Sequence, residues 1–217
     1  MPSLAARLVL LFTTLLLARP APRATTAEDA HLRVYPFAGT GGSSRIERRV
    51  SAGGGEDLRG KTTLTRAAEA LRETALLAPS GRLLHAEIEL PGARFVLDPG
   101  TATVRIERVG AAPMSWRVPA DAPWVYRAGS GRRGLIASPL AGWVAMRAAA
   151  SATVVRVIEP ERRRSYLVPI DQVVVATELG TTVVLGDDAI DADDRFVTEV
   201  RLIERDITLR RVDVGPS

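Results

Sequence analysis

The chain has 217 residues, with 29 Lys and Arg against 25 Asp and Glu, two histidines and no cysteine. The missing cysteine excludes disulfides, thiolate metal ligands, cysteine nucleophiles and an acylated N-terminal cysteine together. Three of the four net positive charges sit at the N-terminus, where Arg7, Arg19 and Arg23 meet no acid before residue 28; the remainder sets 26 basic residues against 25 acidic ones and offers no overall field for nucleic acid or an anionic surface.

The first element in chain order is a leader. Arg7 is followed by the uncharged run Leu8–Ala18 and then by Arg19-Pro20. Eleven helical residues rise about 16 Å, half of a bilayer's hydrocarbon core, so the run is too short to span. A charged start, a short apolar stretch and a small-residue segment predict a signal peptide over 1–27, cleaved after Ala27, with Ala24 the less suitable cut. The expected mature chain, 28–217, is then exported to a periplasm or the medium and carries no transmembrane span.

Glycine clusters at Gly39–Ser44 and Gly53–Gly55 bracket Arg45–Val50, which reads as an exposed strand or hairpin arm. Over Thr62–Leu77 the residues Leu64, Ala67, Ala68, Leu71 and Ala75 fall at helical spacing among good helix formers, so a helix is expected there. From Leu84 the period becomes two, with Leu84, Ala86, Ile88 and Leu90 on one face and His85, Glu87 and Glu89 on the other, as in a half-buried strand. Phe95–Leu97 and Thr103–Val109 flank the turn Asp98-Pro99-Gly100 as a hairpin. The stretch Ala111–Ser138 reads as irregular, anchored by Trp116 and Trp124.

Ser138-Pro139 marks a helix start, with serine as N-cap and proline at the first helical position. That helix should reach about Ala150 and bury Leu140, Trp143, Val144 and Ala148. Strands follow at Thr153–Ile158, a long Arg164–Thr177 with Pro169 at an edge or bulge, Thr181–Leu185, Phe196–Ile203 and Ile207–Val214. An acidic loop lies before Phe196. The short spacings favour antiparallel hairpins. The expected fold is therefore a single β-rich α+β domain, predominantly antiparallel, forming a curved sheet or partly open barrel with one or two packed helices. In architecture this resembles the curved-sheet proteins that bind lipids or glycolipids in bacterial periplasms, a likeness that does not carry a function.

Two patterns suggest nucleotides. Gly55-Glu56-Asp57-Leu58-Arg59-Gly60-Lys61-Thr62 matches G-x-x-x-x-G-K-[ST], in which backbone N–H groups and the lysine hold phosphates and the threonine hydroxyl reaches Mg²⁺. The charged segment before it is unlike a central parallel strand. Gly129-Ser130-Gly131-Arg132-Arg133-Gly134 matches G-x-G-x-x-G, preceded by strand-like Trp124–Arg127 and followed by a helix and by Thr153–Ile158, with Glu159 where a ribose-binding acid would stand. Its helix begins too late for the glycines to open it.

Asp187, Asp188, Asp191, Asp193 and Asp194 form an oxygen-rich run that calcium favours, without the glycine and closing glutamate of an EF-hand loop. His31 and His85 are far apart and read as solvent-facing, and neither a G-x-S-x-G elbow nor an H-E-x-x-H pair occurs. The chain accordingly reads as a non-catalytic binding or structural protein of the bacterial cell envelope, without a cofactor. Its expected partner is an apolar, amphiphilic or lipid-like ligand or another envelope protein, and not nucleic acid. A nucleotide enzyme built on Gly55–Thr62 and a calcium-supported extracellular structural protein are the alternatives.

Overall fold

The computed structural model describes residues 31–65, 69–127, 138–170, 174–177, 180–185, 188–193, 195–202 and 206–212. The expected leader over 1–27 and the Gly129–Gly134 pattern lie outside them. Eight strands run in sequence through the first half: β1 (His31–Thr40), β2 (Gly42–Val50), β3 (Glu56–Leu64), β4 (Glu69–Leu77), β5 (Leu83–Leu90), β6 (Ala93–Asp98), β7 (Thr103–Arg108) and β8 (Met114–Arg117). Then come β9 (Trp124–Tyr126), the helix α1 (Pro139–Ala149), β10 (Val154–Glu159), β11 (Arg164–Pro169), β12 (Val174–Thr177), β13 (Gly180–Leu185), β14 (Asp188–Ala192), β15 (Val197–Leu202) and β16 (Ile207–Arg211). Thirteen of these strands form one sheet in the order β12-β13-β14-β15-β16-β1-β2-β3-β4-β5-β6-β7-β8, every neighbouring pair antiparallel.

Period-two burial builds this sheet. In β3 the side chains of Glu56, Leu58, Thr62 and Leu64 face inward, and in β4 those of Leu71, Glu73, Ala75 and Leu77 do. The helix expected over Thr62–Leu77 is therefore replaced by the end of β3 and the whole of β4. The stretch carried both periods, and pairing of β4 with β3 and β5 along its length decides for strand, since tertiary pairing overrides a propensity difference of a few tenths of a kcal/mol per residue. The stretch read as irregular contains the short β8 and β9. Arg164–Thr177, read as one strand, is two: β11 stops at Pro169, and β12 belongs to the other sheet. The expected acidic loop contains a strand, β14, hydrogen-bonded on both sides because Ala189, Ile190 and Ala192 supply apolar contacts.

The helix begins and ends near the expected residues. Ser138 Oγ accepts from Ala141 N at 2.9 Å, and Pro139 opens the first turn. Its setting differs from a helix lying on one face. Pro139, Leu140, Ala141, Gly142, Trp143, Val144, Ala145 and Ala148 are all buried, as in a helix enclosed on every side. It touches β2, β3 and β4 on one wing of the sheet and β12 to β15 on the other. The sheet thus curls around α1, and burial of each large apolar side chain such as Trp143 or Leu140 contributes about 1.5–3 kcal/mol. Two glycines permit the close fit. A Cβ on Gly142 would lie 2.3 Å from Ile190 Cδ1, and one on Gly60 would lie 2.8 Å from Ile46 Cδ1 and 3.2 Å from Leu140 Cδ1.

A small sheet of order β11-β10-β9 packs beside α1. Its β9–β10 pair is parallel and is joined through α1. At that one place among the described residues the expectation of antiparallel neighbours fails, because a helix intervenes and carries the chain back to the starting end of the sheet.

Candidate functional site

The residues singled out for nucleotide chemistry stand on a strand. Gly55 closes the β2–β3 turn, and Gly60, Lys61 and Thr62 lie in β3 between antiparallel β2 and β4. A phosphate loop needs converging backbone N–H groups ahead of a helix, whereas here those groups belong to ladder pairs. Lys61 is exposed between Arg45 and Arg72. Thr62 is 1% exposed and its hydroxyl lies 2.8 Å from that of Ser44. Gly60 is the seat for Leu140, so its glycine character serves packing. For the second pattern, the parallel β9–α1–β10 unit supplies the expected order of elements. Glu159 at its end is already engaged: Tyr166 donates to it at 2.9 Å, Arg164 forms a close contact, and Arg127 and Arg162 lie at 3.4 and 3.6 Å. Burial opposes ionisation of Glu159, but Arg164, Tyr166 and Arg127 outweigh it and hold the carboxyl below its usual range.

The acidic run is likewise divided among arginines. Asp191 accepts from Thr182 at 2.7 Å and from Arg201 at 2.8 Å. Asp193 accepts from Arg211 at 2.6 Å and from the N–H groups of Arg195 and Phe196 at 2.9 Å each. Although burial acts the other way, these donors hold Asp193 at about 2. Asp188 opens β14, while Asp187 and Asp194 lie outside the described residues. Among the described residues no group of three or more His, Cys, Asp or Glu is placed to hold a metal ion. His85 lies 3.4 Å from Glu87 on the outer face of β5, and the side chain of His31 is outside the described set.

Two inward-facing carboxylates escaped the sequence reading, because a charged residue at an apolar strand position looks like any other outward one. Glu56 is 4% exposed. Its carboxylate accepts from Trp143 Nε1 at 2.9 Å and from Arg48 Nε at 2.7 Å, with Arg147 Nε also at 2.7 Å. The Arg48 guanidinium lies 4.9 Å from the centre of the Trp143 ring, and Phe196 packs against both Trp143 and Tyr35. This network anchors α1 to β2 and β3. Glu73 is the opposite case: it is 2% exposed, and neither its carboxylate oxygens nor the buried Tyr126 hydroxyl closes a hydrogen bond of normal geometry. Burial pushes Glu73 up to about 7, against the smaller opposing pull of the nearby Ser138 and Tyr126 hydroxyls.

With α1 filling the curl, one cleft of about 550 Å³ lies on the far wing, lined by Thr182, Asp191, Glu199, Arg201 and Arg210, and the more apolar clefts lie at one end of the sheet. The β2–β3, β4–β5 and β6–β7 turns share this end with the C-terminus of α1, where Arg147 donates to the Pro79 carbonyl at 3.2 Å. Three clefts adjoin there. One of about 270 Å³ is walled by Leu83, Leu84, Pro99, Pro123 and Trp124 with Arg82 beside them. A second of about 350 Å³ shares Leu84 and adds Leu76, Leu77 and Arg49. A third of about 520 Å³ shares Ala122 and Pro123 with the first and runs along residues 149–154. Leu76 and Leu84 remain 43% and 44% exposed. No helix among the described residues is long and apolar enough to cross a membrane. Comparison with known protein families, with curated proteins and with solved structures finds no match.

Proposed function

We propose that the protein acts outside the cytoplasm as a non-catalytic binding protein for an apolar or amphiphilic ligand. The observation that carries this reading is the chain of adjoining clefts at one end of the sheet, with Leu76 and Leu84 left 43% and 44% exposed between them. A rigid curved sheet anchored by an interior helix suits a site that must be held open, and a concave, partly apolar surface with a few polar groups is the common form of a ligand site. The Leu8–Ala18 leader supports the location.

Two measurements test the proposal. In cells, the protein should appear outside the cytoplasm with Glu28 as its N-terminus by mass spectrometry. A purified sample should melt at a higher temperature with single-chain amphiphiles below their micelle concentration, a ligand at about 100 times its Kd stabilising by about 2.7 kcal/mol. Retention of the leader in a cytoplasmic protein would refute the location. An unchanged melting temperature across apolar, neutral, cationic and anionic compounds would refute the binding role.

A further inference from the structure

We infer that the two clefts meeting at Leu84 form one binding site for a single-chain amphiphile with an anionic head, the head seated against Arg82. The inference rests on the binding role proposed above and narrows it to a place and a charge. Leu84 is common to both clefts and points outward from β5, 44% exposed. Leu83 and Trp124 form the floor of the smaller cleft and are fully buried beneath it, while Leu76 continues the apolar surface on the other side. A chain laid across Leu84 would cover apolar area that is now in water, and burying such area is favourable at roughly 25 cal/mol per Å².

Charge decides the head group. Of the acidic side chains bordering the pair of clefts, Glu56 is held by Arg48, Arg147 and Trp143, Asp57 lies 3.4 Å from Arg59, Asp121 pairs with Arg156 at 2.8 Å, and Asp98, beside Gly100, accepts from Thr101 N at 3.2 Å. The bordering cations Arg82 and Arg49 are exposed, and the guanidinium of neither has a hydrogen-bond or ion partner among the described residues. The smaller, more enclosed cleft therefore offers a guanidinium beside an apolar wall, with no carboxylate among the residues that line it. A guanidinium's planar fork of donors matches a carboxylate or phosphate, and charge-assisted bonds of this type are about twice as strong as neutral ones. A cationic head would meet Arg82 with the wrong sign.

The test is isothermal titration calorimetry on the purified protein with dodecanoate, dodecyltrimethylammonium and dodecyl maltoside, which share a chain and differ in head. Dodecanoate should bind about tenfold more tightly than the other two, and Arg82→Ala should erase most of that advantage while leaving maltoside binding unchanged. Leu84→Glu should weaken dodecanoate and dodecyl maltoside, and Arg210→Ala, on β16 away from these clefts, should change nothing. Both cleft substitutions are on exposed side chains, and far-UV circular dichroism checks that the fold is kept. If dodecanoate binds but neither Arg82→Ala nor Leu84→Glu affects it, the site assignment fails while the binding role stands. Equal binding of the cationic and anionic compounds overturns the head-group assignment. If none of the three binds, the binding role falls with it.

Discussion

Glu73 shows how one position in an ordinary strand alternation acquires unusual physics. Register places it beside Gly60 of β3 and Ile88 of β5, facing inward between Leu71 and Ala75. Its carboxylate reaches neither an arginine nor a backbone N–H, so the cheaper state of the buried group is the neutral acid. Burial raises it from 4.5 to about 7. Between those two values the folded chain holds a proton that the unfolded chain has released. Stability therefore falls as pH rises through this window and levels off above it, by a total on the order of 3 kcal/mol. Glu73→Gln should behave like wild type near pH 4.5, unfold at higher denaturant concentration near pH 8, and lose the slope between. Urea unfolding across pH measures this, and a wild-type stability that is flat from pH 4.5 to 7 would remove Glu73 as an ionising core residue. The sequence marks Glu73 only as one more acid among helix formers. Its inward placement needed the neighbouring strands.

Elements whose pattern had a single reading were legible, and those with two readings were not. The helix from Pro139 carries its own start signal in Ser138 and Pro139, and β5 alternates as expected from His85 to Leu90, so both lie where periodicity puts them. A register shift opposite Leu76 and Leu77, however, turns Leu83 inward and leaves Leu84, expected on the face of Ala86 and Ile88, exposed. Over Thr62–Leu77 the same leucines and alanines satisfy a period of 3.6 and a period of two, and only the partners β3 and β5 select between them. What the helix start could not convey is that α1 would be surrounded. That fit depends on Gly142 against Ile190. Gly142→Ala gains about 1 kcal/mol of helix propensity, yet the new methyl would sit 2.3 Å from Ile190 Cδ1. Overpacking of a filled core costs about 1–3 kcal/mol, so the substitution should lower stability on balance. A double-mutant cycle with Ile190→Ala should show favourable coupling, because the smaller side chain makes room. A stabilised Gly142→Ala protein would mean that α1 is less tightly enclosed than described.

At the scale of the whole molecule, the decisive contact joins the two ends of the chain. Phe37–Thr40 of β1 pair with Thr208–Arg211 of β16, which unites the β1–β8 meander with the β12–β16 meander in one sheet. Each meander is local and forms from neighbouring hairpins, whereas the β1–β16 junction closes nearly the entire sequence and comes at the cost of a long loop. Removing residues 206–217 should therefore do more than fray an edge: the two wings lose their bridge, α1 loses its enclosure, and the cooperative thermal transition should disappear. A truncated chain that still melts in one sharp step would show that the wings hold α1 without the junction. The clefts at the turn end belong to the first wing, since their walls come from the β2–β3 turn, from β3 to β5, from the β6–β7 turn and from the segment before β9.

The absence of thiol chemistry, the antiparallel β character, the alternation from His85 to Leu90 and the helix from Pro139 were all legible in the chain alone. These follow from composition or from a period that one segment displays alone. Only the tertiary structure decided that Gly60 serves a helix rather than a phosphate, that the arginines Arg201 and Arg211 take up Asp191 and Asp193, and that α1 lies inside the curl. It also placed Leu84 and Arg82 together at a shared cleft. In each of these cases the decisive neighbour is on another element, as Pro99, Pro123 and Trp124 are for Arg82 and Leu84, and a local pattern of side chains holds no information about what will be brought against it.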